Sequence, residues 1–338
     1  MKFPLLVSAV IILQTLLTVS YLSATVLPVM RISVENTTTH VQTLAVSRFA
    51  SALQEKLRGR IDVQFYPNAQ LFRDKDVVQA LGQGKIEMAV PGTWHLAAHE
   101  SSVGIFLLPC FYGRPVEMNY RILAGEIGRT INQRIEKQLP VVVLGQWIDL
   151  GHAHLFSMKN KISRHEDIRG LKIRVAGGVA NELRISALGG APVSIPWPDL
   201  PEYMRQGKID AILTSYETIE SAGLEDKGIR YAFEDSQYFP QYVPLVRDSF
   251  WRRLSPDIQN VIRQTWEEQV DSARAEAAAA QIKAKKTLMA KGVKIVVPHS
   301  TELKIWREKL SARQKDFIRT MDIDPELARI IVETCQSN

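Results

Sequence analysis

The sequence predicts an α/β protein built from two lobes of similar structure. Three observations lead to this prediction. The length of 338 residues suits two domains of about 150 residues each. One order of strands and helices occurs twice, and a short motif is repeated at the same place in both series, as Gln83-Gly-Lys-Ile-Glu87 and Gln206-Gly-Lys-Ile-Asp210. Because strands alternate with helices, we expect mostly parallel sheets covered by helices.

The first series follows an apolar N-terminal run. Residues 31–35 predict a strand, and apolar residues at helical spacing from residue 41 to residue 53 predict a helix that stops at Gly59. Polar and apolar residues alternate over residues 60–65, which predicts a second strand. A helix over residues 74–81 then leads to the first copy of the motif and to a loop, Pro91-Gly-Thr-Trp94.

The second series repeats this order. Residues 171–175 predict a strand, Gly177-Gly178 opens a helix that continues through Leu188, and residues 193–195 predict the next strand. A short helix over residues 201–206 precedes the second copy of the motif and the loop Thr214-Ser-Tyr216. Ligands of such sheets bind beyond the carboxyl ends of the strands, so the loops of the two lobes are expected to line one cleft.

A long helix is predicted in the last third of the chain. Ser255 suits the N-cap and Pro256 the first helical position, and neither Gly nor Pro occurs from residue 257 to residue 291. Gly292 ends the pattern. Such a helix would be roughly 50 Å long. It either crosses both lobes or packs on one lobe with a frayed end.

The N-terminus predicts export from the cytoplasm. Lys2 is followed by an uncharged, largely apolar run to residue 30, which is typical of a secretory signal over residues 1–24. Cleavage after Ser20 and cleavage after Ala24 are both compatible with the pattern. The alternative is an uncleaved membrane anchor, because about 20 apolar residues can span a bilayer.

Composition excludes several function classes. The 42 basic and 36 acidic residues are interspersed, and no basic run stands beside aromatic residues, so nucleic-acid binding is not expected. The two cysteines, Cys110 and Cys335, form no metal or redox motif. We expect Cys110 to be a buried apolar residue, although an oxidising compartment would permit a disulfide. No hydrolase, zinc-protease or P-loop motif occurs, so we expect neither an enzyme nor a cofactor.

The chain resembles the solute-binding subunits of tripartite ATP-independent periplasmic (TRAP) transporters, the DctP family. The resemblance covers nearly the whole chain after the N-terminal run. It is most specific in Glu166-Asp-Ile-Arg-Gly-Leu-Lys-Ile-Arg-Val175, Ala187-Leu-Gly189, Pro196-Trp197 and the second copy of the motif, with Tyr66-Pro-Asn-Ala-Gln-Leu71 and Leu108-Pro109 in the first half.

The resemblance implies a two-lobed periplasmic binding protein fold of type II-like build, with the long C-terminal helix spanning both lobes. The N-terminal lobe would comprise residues 28–151 plus 240–279, and the C-terminal lobe residues 152–239 plus 280–333. The protein would be periplasmic, would take up a small organic carboxylate, and would dock on a permease with one small and one large membrane subunit.

The resemblance also implies a ligand-binding site, with no catalytic residue and no metal ligand. Arg174 falls on the arginine that pairs with the substrate carboxylate, and Trp197 on an aromatic ligand contact. Further expected contacts lie at strand ends in both lobes: Glu35, Asn36, Asp74, Gly92, Thr93, Trp94 and Tyr216. Two positions depart from the family, because His154 replaces a frequent second arginine and Thr214 replaces a usual asparagine.

The residue types support these roles, although alternatives remain open. A guanidinium at a strand end matches a carboxylate bidentately, yet Arg174 could instead pair with Glu166 or Asp167 at the surface. The backbone N–H groups of Gly177-Gly178 suit an anion, or the two glycines form only a tight turn. The aromatic residues line the cleft or belong to the core, and Glu35 accepts from a ligand hydroxyl or ammonium or is a surface carboxylate.

The histidines leave three alternatives open. His152 and His154 alternate on a predicted strand, so both point to one face, but no further cluster supports a metal. His154 would contact the ligand, in a protonated or a neutral form, or make structural hydrogen bonds. The rival function is a binding protein for an ABC importer or a sensor kinase.

Overall fold

The structure is a computed structural model that describes residues 27–336. The predicted signal segment, residues 1–24, lies outside the described residues. Among the helices that are described, none has both the length and the apolar character needed to cross a bilayer.

Strands and helices alternate over residues 29–96 and 172–221, as the sequence predicts. The strands are β1 (Val29–Ser33), β2 (Asp62–Tyr66), β3 (Met88–Ala89), β4 (Val141–Val143), β5 (Ile148–Asp149), β6 (Ala153–Ser157), β7 (Lys172–Val175), β8 (Ala191–Ser194), β9 (Ala211–Thr214), β10 (Tyr231–Tyr238), β11 (Gln241–Tyr242), β12 (Leu245–Arg247) and β13 (Lys294–Val296).

The α-helices connect these strands and form the C-terminal segment. They are α1 (Val41–Lys56), α2 (Asp74–Gly82), α3 (Thr93–Leu96), α4 (Glu117–Ala124), α5 (Glu126–Gln138), α6 (Val179–Ala187), α7 (Leu200–Arg205), α8 (Tyr216–Ser221), α9 (Asp248–Trp251), α10 (Pro256–Ala290), α11 (Ser300–Ser311), α12 (Gln314–Thr320) and α13 (Pro325–Gln336). Short 3₁₀ helices occupy Ser101–Leu107, Pro109–Phe111, His165–Ile168 and Trp197–Asp199.

Two mixed sheets form the cores of the two lobes. The first lobe contains a five-stranded sheet of order β2-β1-β3-β12-β4, in which β12 runs antiparallel to both of its neighbours. The second lobe contains a six-stranded sheet of order β13-β10-β6-β9-β7-β8. Its parallel part, β8-β7-β9, pairs Arg174 with Val193 on one side and with Ile212 on the other. The two-lobed α/β prediction is confirmed. The expectation of mostly parallel sheets is wrong, because β12 in the first sheet and β6 in the second run antiparallel to both of their neighbours.

The repeated motif performs the same structural task in both lobes. Gly84 and Gly207, with φ of 71° and 63°, end helices α2 and α7 in a left-handed conformation that favours glycine. The acidic residue that follows is bonded to the strand next in the sheet. Glu87 accepts from the N–H of Arg31 at 3.0 Å, and Asp210 accepts from the N–H of Lys172 at 2.8 Å. The motif therefore joins a helix end to a neighbouring strand in each sheet.

The chain crosses between the lobes along a small two-stranded sheet. Strands β5 and β11 pair antiparallel, with Gln241 opposite Asp149 and Tyr242 opposite Ile148. Each strand lies between an element of the first sheet and an element of the second. The predicted lobe boundaries adjoin this pair of strands, and their residue limits stay a prediction.

Helix α10 has the start and end that the sequence predicts. The Ser255 side chain accepts from the N–H of Ile258, Pro256 occupies the first turn, and Gly292 follows the end with φ of 88°. Its 35 residues correspond to about 52 Å. In the first lobe its Trp266 packs edge-on against Phe49 of α1, with ring centroids 5.3 Å apart. In the second lobe its Gln281 accepts from the backbone N–H of Glu217. The helix thus spans both lobes.

Candidate functional site

A cluster of four ionisable residues and one tryptophan lies where the two lobes meet. The first lobe contributes Glu35, which follows β1, Asp74 in the first turn of α2, and His95 in α3. The second lobe contributes Arg174 from β7 and Trp197 from the 3₁₀ helix after β8. These positions lie beyond the carboxyl ends of strands, where α/β sheets bind ligands.

Arg174 is buried but not fully hydrogen-bonded. Its side chain is 2% exposed, and its Nε donates to the carbonyl of Ile195 at 3.0 Å. Its Nη2 is buried without a hydrogen-bond partner. Burial lowers the pKa of Arg174 to about 10, and the nearby Glu35 opposes that shift, so the guanidinium stays charged at neutral pH. A buried donor without a partner is costly, so an anion that bonds to Nη2 would be stabilising.

Trp197 forms one wall beside this guanidinium. The Arg174 Cζ lies 5.7 Å from the Trp197 ring centroid, which is within range of a cation–π contact. The indole is only partly buried. The predicted alternative of an arginine paired at the surface with Glu166 or Asp167 does not occur, because Arg174 points into the interior and Asp167 bonds to Arg164 instead.

The acidic residues face the guanidinium from the first lobe. Burial raises the pKa of Glu35, an effect opposed by Arg174. Burial, together with the neighbouring Glu35, raises the pKa of Asp74 well above its usual range. Burial and Arg174 lower the pKa of His95 to about 4, so its imidazole is neutral at physiological pH. These groups offer oxygen and nitrogen acceptors opposite an arginine donor.

The same three residues could hold a metal ion. One ligand atom each from Glu35, Asp74 and His95 lies within 4.8 Å of the others. Two carboxylates and an imidazole are common ligands of divalent transition metals. The sequence predicted no metal ligand, and it singled out His152 and His154 as the spacing to consider. The three residues that could hold a metal are instead the ones that face Arg174 from the first lobe.

The loop Gly92–His95 closes against the second lobe. A Cβ atom at Gly178 would lie 2.4 Å from the carbonyl oxygen of Trp94, and one at Gly177 would lie 2.9 Å from the imidazole of His95. Both glycines also have positive φ, 125° at Gly177 and 85° at Gly178. Only glycine allows this approach without displacement. The two glycines therefore let the lobes meet beside the charged cluster.

Asn36 and Thr93 have structural surroundings. The Asn36 amide donates to the Gln42 side chain at 2.7 Å and to the Tyr242 hydroxyl at 3.0 Å, so both of its N–H donors are used within the protein. Thr93 is buried at the start of α3. Gly92 donates its N–H to Asp74 at 3.4 Å, which connects the loop to the acidic cluster. Ligand contacts by these residues stay a prediction.

His154 and Tyr216 line a different cavity. It has a volume of about 330 Å³ and lies between the second sheet and α10, with Lys285 among its lining residues. The His154 Nδ1 accepts from the N–H of Ser236 at 3.0 Å, and the Tyr216 hydroxyl donates to Glu234 at 2.8 Å. Thr214 is buried opposite His154 in the sheet. No residue of the Arg174 cluster lines this cavity. Thr214 lies two residues after Ile212, the residue that pairs with Arg174, and ligand contacts by His154, Thr214 and Tyr216 stay a prediction.

Burial holds His154 in its neutral form. Its pKa lies well below the usual value because of burial, with further contributions from His152 and Lys285. The bond from Ser236 requires an unprotonated Nδ1. This geometry favours the neutral alternative for His154 over the protonated one.

Two residues that the sequence analysis missed lie beside Arg174. The Asn181 amide donates to the carbonyl of Gly177 at 3.1 Å, and its Oδ1 is buried without a partner. The Tyr238 hydroxyl is buried near both Arg174 and Arg184. Asn181 could have been suspected from its place one turn after Gly177-Gly178. Tyr238 carries no local sequence signal.

The chain matches a known family over most of its length. The model of the bacterial extracellular solute-binding proteins, family 7 (DctP), covers residues 32–320. A solute-binding protein of Chromohalobacter salexigens is 26% identical over 252 residues, which is 74% of each chain. The C4-dicarboxylate-binding periplasmic protein DctP of Rhodobacter capsulatus is 22% identical over 228 residues, 67% of each chain.

Solved structures share the fold. The sugar acid binding protein DctPAm of Advenella mimigardefordensis, in complex with galactonate, has a TM-score of 0.85 at 19% identity and covers 92% of this chain and 99% of its own. A TRAP periplasmic solute-binding protein of Shewanella oneidensis, with bound succinate, has a TM-score of 0.84 at 18% identity and covers 92% and 100%. Because the family model spans well over half of the sequence, the chain belongs to the DctP family of bacterial extracellular solute-binding proteins, the binding subunits of TRAP transporters.

Proposed function

We propose that the protein captures a small organic carboxylate between its lobes, with Arg174 as the anchor, and delivers it to a TRAP permease. The observation that supports this most directly is the buried guanidinium whose Nη2 has no partner inside the protein. A carboxylate would satisfy this donor with a charge-assisted hydrogen bond. Structures of similar fold hold succinate, galactonate or D-glucuronate, and each of these molecules carries a carboxylate.

The opposite end of the site selects among carboxylates. Glu35, Asp74 and neutral His95 present acceptors to whatever occupies the space between them and Arg174. A ligand that offers hydroxyl or ammonium donors at its far end would pair with these groups. A plain dicarboxylate would place a second negative charge beside Glu35 and Asp74, in surroundings whose burial already disfavours negative charge. We therefore expect hydroxylated or amino-bearing monocarboxylates to bind more tightly than succinate.

Thermal unfolding with a panel of ligands tests the capture function. The panel pairs each acid with an uncharged analogue of the same size: glucuronate with glucose, galactonate with galactitol, and succinate with succinamide. We expect at least one acid to raise the melting temperature progressively as its concentration rises, while its analogue does not. Equal stabilisation by acid and analogue, or stabilisation by no acid in a broad carboxylate panel, would contradict the proposal.

Delivery to a permease requires a separate experiment. Uptake of the identified ligand is measured in proteoliposomes that contain the small and large membrane subunits of a TRAP permease. Uptake should depend on added binding protein and on an ion gradient, with no requirement for ATP. Uptake driven by ATP through a different membrane protein would leave capture intact and overturn the TRAP assignment of the partner.

A further inference from the structure

The two cysteines of the chain lie against each other although they are far apart in sequence. Cys110 is in the 3₁₀ helix Pro109–Phe111, and Cys335 is in the last turn of α13. Both are buried, at 6% and 2% exposure, in one hydrophobic cluster. Both thiols are free in the structure, and α13 packs on the 3₁₀ helix that carries Cys110. Neither thiol belongs to the ligand site described above.

Hydrogen bonds from other residues hold the backbone of each cysteine. The Cys110 N–H donates to the side chain of Gln314 at 2.9 Å. The carbonyl of Cys335 accepts from the Arg114 guanidinium at 2.7 Å. Because both backbones are held and both side chains lie in the cluster where α13 packs on this 3₁₀ helix, the fold keeps the two sulfur atoms near each other, as a disulfide requires.

The cysteine pair lies between the first lobe and a C-terminal segment that comes from the second sheet. The C-terminal segment, residues 300–336, follows strand β13 of the second sheet. It then packs on the first lobe, where the hydroxyl of Ser101 donates to the carbonyl of Asp322 at 2.7 Å and Arg134 pairs with Asp324 at 2.7 Å. The segment therefore bridges the two lobes, and Cys335 is its last described contact with the first lobe.

We propose that Cys110 and Cys335 form a disulfide in the exported protein, which fastens the C-terminal segment to the first lobe. The family acts outside the cytoplasm, where disulfides persist. The oxidant is a disulfide-donor protein of the thiol–disulfide exchange class.

The disulfide forms by two successive thiol–disulfide exchanges. The thiolate of Cys335 attacks one sulfur of the donor's disulfide, breaks that bond and releases a donor thiolate. The thiolate of Cys110 then attacks the Cys335 sulfur of the mixed disulfide and releases the second donor thiolate. One disulfide is formed and one is reduced, and the two thiol protons end on the two donor thiols.

Burial determines when this exchange happens. In the folded chain burial raises the pKa of the Cys110 thiol well above its usual value, and a protonated thiol is a poor nucleophile. The bond therefore forms while α13 is still undocked. Once formed, it is shielded from reductants by the same burial.

Mass spectrometry of the full-length chain, recovered from the periplasm in the presence of N-ethylmaleimide and then denatured, tests the proposal. We expect a mass lower than that of the reduced chain by two hydrogen atoms and no maleimide adduct until a reductant is added. Peptides containing Cys110 and Cys335 should be recovered as one linked species. Two maleimide adducts on the unreduced, denatured chain would overturn the proposal, and so would linkage between two chains.

Thermal unfolding supplies a second, independent measurement. A reductant present during unfolding should lower the melting temperature of the parent by about 5–10 °C. The same reductant should leave the melting temperatures of Cys110→Ser and Cys335→Ser unchanged, and both variants should resemble the reduced parent. A parent that is insensitive to reductant after complete reduction has been verified by mass would contradict the fastening role.

Discussion

Replacement of Arg174 by lysine is the sharpest test of the ligand anchor. In the structure Nε is used by the carbonyl of Ile195 at 3.0 Å, while Nη2 is unpaired. The guanidinium can therefore hold Ile195 and a ligand carboxylate at the same time. A lysine ammonium is a single point of charge on a flexible chain and cannot reproduce this planar arrangement.

The expected loss follows from the charge-assisted contact. A hydrogen bond to a charged group contributes about 1.5–3 kcal/mol, so Arg174→Lys should weaken binding by about tenfold or more. Arg174→Met leaves the ligand carboxylate buried without a partner, and the loss should reach about 2–5 kcal/mol. The empty methionine variant should not be less stable than the parent, because a buried and incompletely bonded charge has been removed.

Isothermal titration calorimetry with the best acid from the panel measures these losses. Arg169→Lys is the matched control, because Arg169 is exposed on the same lobe and the substitution should leave affinity unchanged. Thermal unfolding of each empty variant separates loss of affinity from loss of folding. If Arg174→Lys folds normally and retains the affinity of the parent, the planar guanidinium is not needed to hold Ile195 and the ligand carboxylate together, and the proposed role of Arg174 is wrong.

Four further predictions concern the cleft and its surroundings. Trp197→Leu should weaken ligand binding by about threefold to thirtyfold, since it removes an aromatic wall and a cation–π contact; calorimetry showing unchanged affinity would place the indole outside the site. Arg73 of the first lobe forms a bidentate pair with Asp199 of the second, at 2.9 and 3.1 Å, and this pair should favour closure of the lobes. Arg73→Ala should therefore reduce ligand affinity by about two- to fivefold at low salt and by less at high salt. An equal loss of affinity at all salt concentrations would point to a different cause. Burial raises the pKa of Glu217 to about 8, so the folded state holds this proton more tightly than the unfolded state. The resulting stabilisation is complete below about pH 4.5 and is lost as the pH rises through 8. In urea unfolding Glu217→Gln should therefore gain stability relative to the parent between pH 6 and pH 9, and a constant difference over that range would show that the carboxyl does not titrate there. Because burial keeps His154 neutral, ligand affinity of the parent and of His154→Gln should depend on pH in the same way from about pH 8 to pH 6. A rise on acidification that His154→Gln abolishes would show instead that the protonated form takes part.

Much of the fold could be predicted because its signals are local. The alternation of strand and helix patterns, the left-handed glycines Gly84 and Gly207, and the N-cap at Ser255 each act within a few residues. The length of α10 follows from a run without Gly or Pro. The repeated motif revealed two related lobes before any contact between them was known.

The candidate site was only partly predictable for the same reason. A strand-end arginine before Gly177-Gly178 could be identified at Arg174 from its neighbours in sequence. That it is buried with an unpaired Nη2, and that Glu35 and His95 face it, depends on how the lobes meet. His154 differs, because the structure places it at a cavity beside α10 and its contact with a ligand stays a prediction.

The sequence by itself determined the class of fold, the two-lobed repeat, the long helix and the identity of the arginine, because each depends on propensity and spacing over short distances. Only the tertiary structure decided which charged groups converge, which histidine is neutral and bonded to backbone, and that Cys110 meets Cys335. These contacts join residues that are far apart in the sequence. Their energies come from burial and from the approach of groups that no local pattern relates.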